Sequence, residues 1–317
     1  MGAKLKNPPV YLTVAQVRFN SILKLAEFAP DIQERFRKAS YPDYVPHVAV
    51  NVKLDVQGDQ VTPTPTTQQR YAFGNAAKTH SFILDTNALT LQSTEYGQFE
   101  SFSEEFLKGL ARLHEVVGLA FIDRVGLRYL DRVVPFEGED LPQYLVPEAL
   151  GLTARLGGTL GHSLCETRTD QDGITLVSRV VTLSSALIFP PDLMPLLGVE
   201  VAERFKAYTG LHAVLDNDGF FEGREEYSAE TVRGHLDAIH KVIGAAFKSV
   251  VTEYARKKWD EYNVAVGQGG ERPTAASGDH PWRGDSLRHA ELQPQDRIED
   301  AKSGSAGGAG DPLHSSL

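Results

Sequence analysis

The chain has 317 residues, 41% hydrophobic and 23% charged, enough to bury a sizeable core as one large domain or two ordinary ones. Its formal net charge of -10 disfavours nucleic acid as a partner, because phosphate binding needs positive potential. A single cysteine, Cys165, rules out an internal disulfide framework and a Cys-rich zinc site, and fits a reducing compartment.

The N-terminal stretch carries no signal-peptide or membrane-span pattern. Thr13, Gln16 and Arg18 interrupt the apolar residues from Val10 to Phe19, so the cytoplasm is the expected location, with no membrane partner. Val10 to Phe19 instead reads as a strand. Val10, Leu12 and Val14 fall on one face and Tyr11, Ala15, Val17 and Phe19 on the other, the mark of a central strand. Leu25, Phe28, Ile32 and Phe36 predict a helix over Leu25 to Ala39, with Pro30 delaying its start or kinking it. Alternation predicts a strand from Val48 to Val56, and Thr62-Pro63-Thr64-Pro65-Thr66-Thr67 reads as a loop. Three short strands follow, at Arg70 to Gly74, His80 to Leu84 and Ala88 to Thr94. A helix from Ser103 to Val117 comes next, with Ser101 and Glu104 spaced as a capping box and Gly118 as its stop. A long strand then runs from Leu119 to Val134.

The segment from Pro135 to Gly158 is rich in Pro, Gly and Glu and reads as a connection with a short helix near Tyr144 to Leu150. Strands at Thr159 to Thr169 and Gly173 to Leu183 flank Asp170-Gln171-Asp172-Gly173, a hairpin signal. A short helix is expected at Val199 to Lys206 and a strand at Leu211 to Leu215, with Asp216-Asn217-Asp218-Gly219 as a turn. From Ser228, a good N-cap, a single amphipathic helix is predicted to run to about Tyr262. The composition after Val264 predicts a disordered tail.

Leu113-His114-Glu115-Val116-Val117-Gly118-Leu119-Ala120-Phe121 lines up with Ile239-His240-Lys241-Val242-Ile243-Gly244-Ala245-Ala246-Phe247. Upstream, Ile83 to Asn87 resembles Val214 to Asp218. The expected fold class is therefore α+β: two related halves of antiparallel sheet, each covered by a helix, with a long C-terminal helix. The first half spans 1–135, a connection 136–158, the second half 159–263 and the tail 264–317. His114 and His240 read as packed histidines at helix flanks, since neither has a second ligand at i+4.

The long strand from Leu119 places Ile122, Arg124, Gly126, Arg128, Leu130 and Arg132 on one face. Arg18 and Arg179 on other strands can join them. Arginine forks suit phosphate or carboxylate, so Arg18, Arg124, Arg128, Arg132 and Arg179 form the candidate binding surface. The opposing reading pairs these arginines with Asp and Glu on neighbouring strands. Gly157 to Gly161 precedes a strand, so it is no phosphate cradle, and Gly161 to Cys165 lacks the closing glycine of a nucleophile elbow. Asp216 to Gly219 lacks EF-hand spacing. The acid pairs Glu104-Glu105 and Glu225-Glu226 read as solvated charges. No catalytic residue, metal or cofactor is expected.

Pro8-Pro9-Val10 leading into Val17-Arg18-Phe19-Asn20, the stretch Arg124-Val125-Gly126-Leu127-Arg128-Tyr129, and the closing helix near Trp259 carry a resemblance. Over roughly residues 7–262 the chain resembles a sporadically distributed, uncharacterised family of bacterial and phage-encoded proteins. That resemblance implies no particular activity; scattered occurrence associates such families with phage-defence or toxin–antitoxin loci. The leading expectation is a non-enzymatic binding or regulatory protein acting through a protein partner, with a homo-oligomer compatible with it. The alternatives are a helix-grip binder of a small anionic ligand, a chaperone like SecB in outline, and an enzyme of unrecognised type.

Overall fold

The computed structural model describes residues 5–57, 60–153, 155–156 and 158–261. The described residues form nine strands and seven α-helices. The strands are β1 (Val10–Phe19), β2 (Asp43–Gln57), β3 (Gln60–Gly74), β4 (His80–Asp85), β5 (Ala88–Ser93), β6 (Phe121–Val133), β7 (His162–Gln171), β8 (Ile174–Ser184) and β9 (Leu211–Glu226). Helix α1 (Leu25–Lys38) follows β1, and α2 (Phe99–Val117) joins β5 to β6. The short α3 (Leu141–Tyr144) and α4 (Pro147–Leu150) precede β7, α5 (Glu203–Lys206) precedes β9, and α6 (Ala229–Val250) and α7 (Glu253–Glu261) close the described chain.

All nine strands form a single sheet in the order β2-β3-β4-β5-β1-β6-β9-β8-β7, antiparallel throughout. Read outward from the central β1–β6 pair, β1-β5-β4 on one side answers β6-β9-β8 on the other. In each half the strand beside the central one leads into the covering helix: β5 into α2 and β9 into α6. This is the α+β arrangement expected, as one continuous sheet.

The apolar stripes explain the layers. Phe102, Phe106, Leu110 and Leu113 of α2 and Val232, Leu236, Ile239 and Ile243 of α6 are buried with Phe82, Leu84, Leu91, Val125 and Leu127 of the sheet. Burying each such side chain contributes about 1.5–3 kcal/mol. Two glycines set the closeness of approach. A Cβ on Gly109 of α2 would stand 2.2 Å from Cε1 of Phe82, and one on Gly219 of β9 would stand 2.7 Å from Cγ2 of Ile239. The opposite face buries Tyr11, Leu12, Val14, Leu130 and Val214 under a segment that contributes Ile188, Phe189, Leu193, Val201 and Phe205. No helix among the described residues is long and apolar enough to cross a membrane.

Several local expectations need correction. Register shifts at Val10/Leu12 and near Asp123 reverse the facing of the strand ends. Val10 and Ile122 therefore join the helix-side core, and Tyr11 joins Leu12 and Val14 on the other face. Thr62 to Thr67 is part of β3, paired with β2 as far as Gln57↔Gln60. Its prolines are tolerated because β4 pairs only with Tyr71 to Gly74, which leaves this stretch of β3 without a second neighbour. Asp216 to Gly219 is strand interior, held between β6 and β8. The upstream match of Ile83 to Asn87 with Val214 to Asp218 therefore joins a strand end and turn to the middle of β9. Helix α2 starts at Phe99, and Ser101 lies inside it with Oγ donating to the Gln98 carbonyl. The closing helix breaks at Val251, which is extended and bridges Leu145; Thr252 Oγ1 then accepts from the Ala255 amide to begin α7. The expected disordered tail lies outside the described residues.

Candidate functional site

The arginine face is largely occupied from within. Arg128 Nε and Nη2 donate to the two carboxyl oxygens of Asp216 at 2.6 and 2.7 Å, and Nη1 donates to Asp192 at 2.5 Å. Burial alone would lower the Arg128 pKa; the bonds to Asp216 outweigh it and hold the pKa above the ordinary value. Arg179 donates to Glu166 at 2.5 Å and to Asp216 at 3.3 Å. Arg132 is buried, donating to the carbonyls of Phe205 and Tyr208. Arg124 lies 3.9 Å from Asp218 and 3.7 Å from Glu222, with its guanidinium over the Phe220 ring. Arg18 is exposed in register with Arg124. The sheet thus brings all five together except Arg132, which turns under the segment before β9. Asp and Glu on neighbouring strands and on the covering segment satisfy Arg128 and Arg179. The acid pairs are likewise separately engaged: Glu104 by Lys108, Glu105 by Arg112 and Glu225 by His235.

A cavity of about 640 Å³ opens on the helix side, where β1 begins and β6 nears its end. Its volume lies within the range of about 300–1,000 Å³ usual for small-molecule sites. Pro8, Pro9 and Val10 form one wall, and Ile243, Gly244 and Phe247 of α6 another. The β5–α2 turn supplies Tyr96, Gly97 and Gln98, and α2 opens with Phe99 and Glu100. β6 contributes Tyr129 and Asp131 from consecutive positions on one strand face.

The polar groups of this cavity are ordered. Tyr96 and Tyr129 share a hydroxyl–hydroxyl hydrogen bond of 3.1 Å, and the Tyr129 hydroxyl meets His240 Nδ1 at 3.2 Å. The His240 ring stacks on Phe99 at 4.0 Å, near parallel. Burial lowers the His240 pKa and holds that of Tyr129 well above its usual value, while Tyr96 is pushed up to about 12. At neutral pH the chain is an uncharged imidazole and two phenols. Asp131 stands apart from it. It is 6% exposed, lines the cavity, and has no hydrogen-bond or ion-pair partner among the described residues. Burial raises its pKa from 3.8 to about 7. A buried carboxyl left without a donor inside a mostly apolar cavity is a common mark of a functional site.

The repeat's two histidines therefore part company. His114 accepts from the Leu119 amide at 3.0 Å and packs on Tyr227, a structural role. His240 faces the cavity. Sequence reasoning missed Asp131 altogether, although period two places it on the same face as Tyr129. An acid on the otherwise apolar face of a strand was the available signal. The sequence matches no known family model and no curated protein.

Proposed function

We propose that this protein is a non-enzymatic binding protein that receives a small, largely apolar molecule in the cavity between β6, α2 and α6. The single observation that carries the reading is the cavity itself: apolar walls around one unpartnered buried carboxyl. The helix-grip outline inferred from the sequence is kept. The polar anchor shifts from the arginines, which have partners of their own, to Asp131. This reading takes precedence over action through protein contacts, for which the described residues offer the outer sheet edges at β2 and β7.

Gly244 supplies the test. It lines the cavity, and a Cβ there would meet nothing within 4 Å. Gly244→Phe adds a ring where the cavity meets the neighbouring groove, both of which Gly244 lines, without a clash at its Cβ. A neutral alkyl probe, 1-decanol, at about a hundred times its Kd should raise the melting temperature of the parent chain by about 5 °C. G244F, checked for an intact fold by circular dichroism, should show no rise. Equal shifts in both proteins would place binding elsewhere, and no shift with any alkyl probe would end the reading.

A further inference from the structure

The proposed cavity leaves open which chemical class of ligand it takes, and its lining discriminates. It presents two carboxyl side chains, Asp131 inside and Glu100 at the exposed rim, and neither lysine nor arginine. Arg233, Lys241 and Lys248 line the neighbouring groove between α2 and α6 and not this cavity. His240 is kept uncharged by burial and so supplies no positive charge. Four aromatic rings, Tyr96, Phe99, Tyr129 and Phe247, share the wall with these acids. Aromatic faces carry negative electrostatic potential and attract cations, more strongly where water is excluded. A buried carboxylate without a donor gains most from a group that brings both a positive charge and N–H bonds.

Resting on the small-molecule reading above, we infer that the ligand is an amphipathic amine: a protonated amino group bonded to Asp131 among the aromatic rings, and an apolar body along Ile243 and Phe247. An anionic ligand is disfavoured on the same grounds. It would set like charge against Asp131 and Glu100 with no lining cation to offset them. Gln98 caps α2 without a side-chain hydrogen bond. The partial positive charge of that helix end is a weaker attraction for an anion and is opposed by Glu100 in the first turn.

The experiment is isothermal titration calorimetry at about pH 8 with n-decylamine, 1-decanol and decanoate, on the parent chain, D131N and G244F. Decylamine should bind at least about 10-fold more tightly than decanol, and decanoate should be the weakest. D131N should reduce decylamine to the affinity of decanol while leaving decanol within about 3-fold of the parent. G244F should abolish all three. If decanol and decylamine bind the parent equally, the amine class is wrong and the cavity reading survives. Decanoate binding most tightly would overturn the amine in favour of the helix end. A preference for decylamine that persists in D131N would remove Asp131 as the anchor. Failure of every probe would overturn both readings together.

Discussion

Asp131 is a residue whose burial sets its charge against the stability of the fold. Its carboxyl is held near pH 7 in the folded chain against an ordinary value of 3.8, through burial. Between these values the folded state holds the extra proton, so its contribution to stability is greatest in acid and falls as pH rises through about 7. The full cost of carrying the ionised group is about 4 kcal/mol at most. Tyr11, Tyr96 and Tyr129 feel the Asp131 charge, and each of their own pKa values is raised away from this window. We expect the stability difference between D131N and the parent to move in favour of D131N by about 3–4 kcal/mol between about pH 4 and pH 8. Urea unfolding at the two pH values measures it. A difference independent of pH would mean that the folded carboxyl ionises at its ordinary value, as in the unfolded chain. Such a residue gives up stability to keep an unpaired acid in a cavity, a trade found at functional sites.

Among the elements, the segment between β8 and β9 depends most on a few polar contacts. It contains one short helix, α5, and a single 3₁₀ turn, and covers the sheet through scattered apolar residues. Arg128 ties it down by bridging Asp192 of the segment to Asp216 of β9. Removing one member of a buried ion pair costs about 3–5 kcal/mol, because the partner charge stays buried. R128A should destabilise the fold by that amount, moderated where Arg179 still reaches Asp216, and should speed amide hydrogen exchange across residues 185–208. Exchange unchanged in that segment would show that the Arg128 bridge is not what holds it. The same network shows which part of the arginine face was legible in the sequence. Strand periodicity placed Arg124, Arg128 and Arg132 together, but their acceptors come from strands and loops about 60 to 100 residues away in sequence, such as Asp192 and Asp216 for Arg128 and Glu222 for Arg124. The hairpin at Asp172-Gly173 was legible for the opposite reason: both residues adopt positive φ locally and close Gln171 onto Ile174.

At the scale of the whole molecule, the nine described strands share one sheet. β1 pairs with β6 over nearly its full length, and α2 and α6 are buried in the same core. Splitting the halves would expose two central strand edges and open that core. The described region is therefore expected to unfold in urea in a single transition, with far-ultraviolet circular dichroism and tyrosine fluorescence coinciding. Two separated transitions would show that the halves are independently stable. The cavity belongs to this scale as well, because its walls come from the N-terminal segment, the β5–α2 turn, β6 and α6.

The sequence by itself determined the properties that depend on near neighbours: the central strand from Val10 to Phe19, the apolar stripes of α1, α2 and α6, the Gly118 stop and the Asp172-Gly173 turn. Each follows from backbone preference or side-chain period over a few residues. Only the tertiary structure decided the rest. Asp216 to Gly219, which has turn composition, became strand because β6 and β8 take up its backbone bonds on both sides. The closing helix broke at Val251 because Leu145 offers its backbone a bridge there. His240 became a cavity residue through Phe99 and through Tyr129, 111 positions away. Asp131 was left without a partner because no donor from any described element reaches it. Local preference decides which conformations are cheap; distant hydrogen-bond partners and packing volume decide which of them the fold adopts.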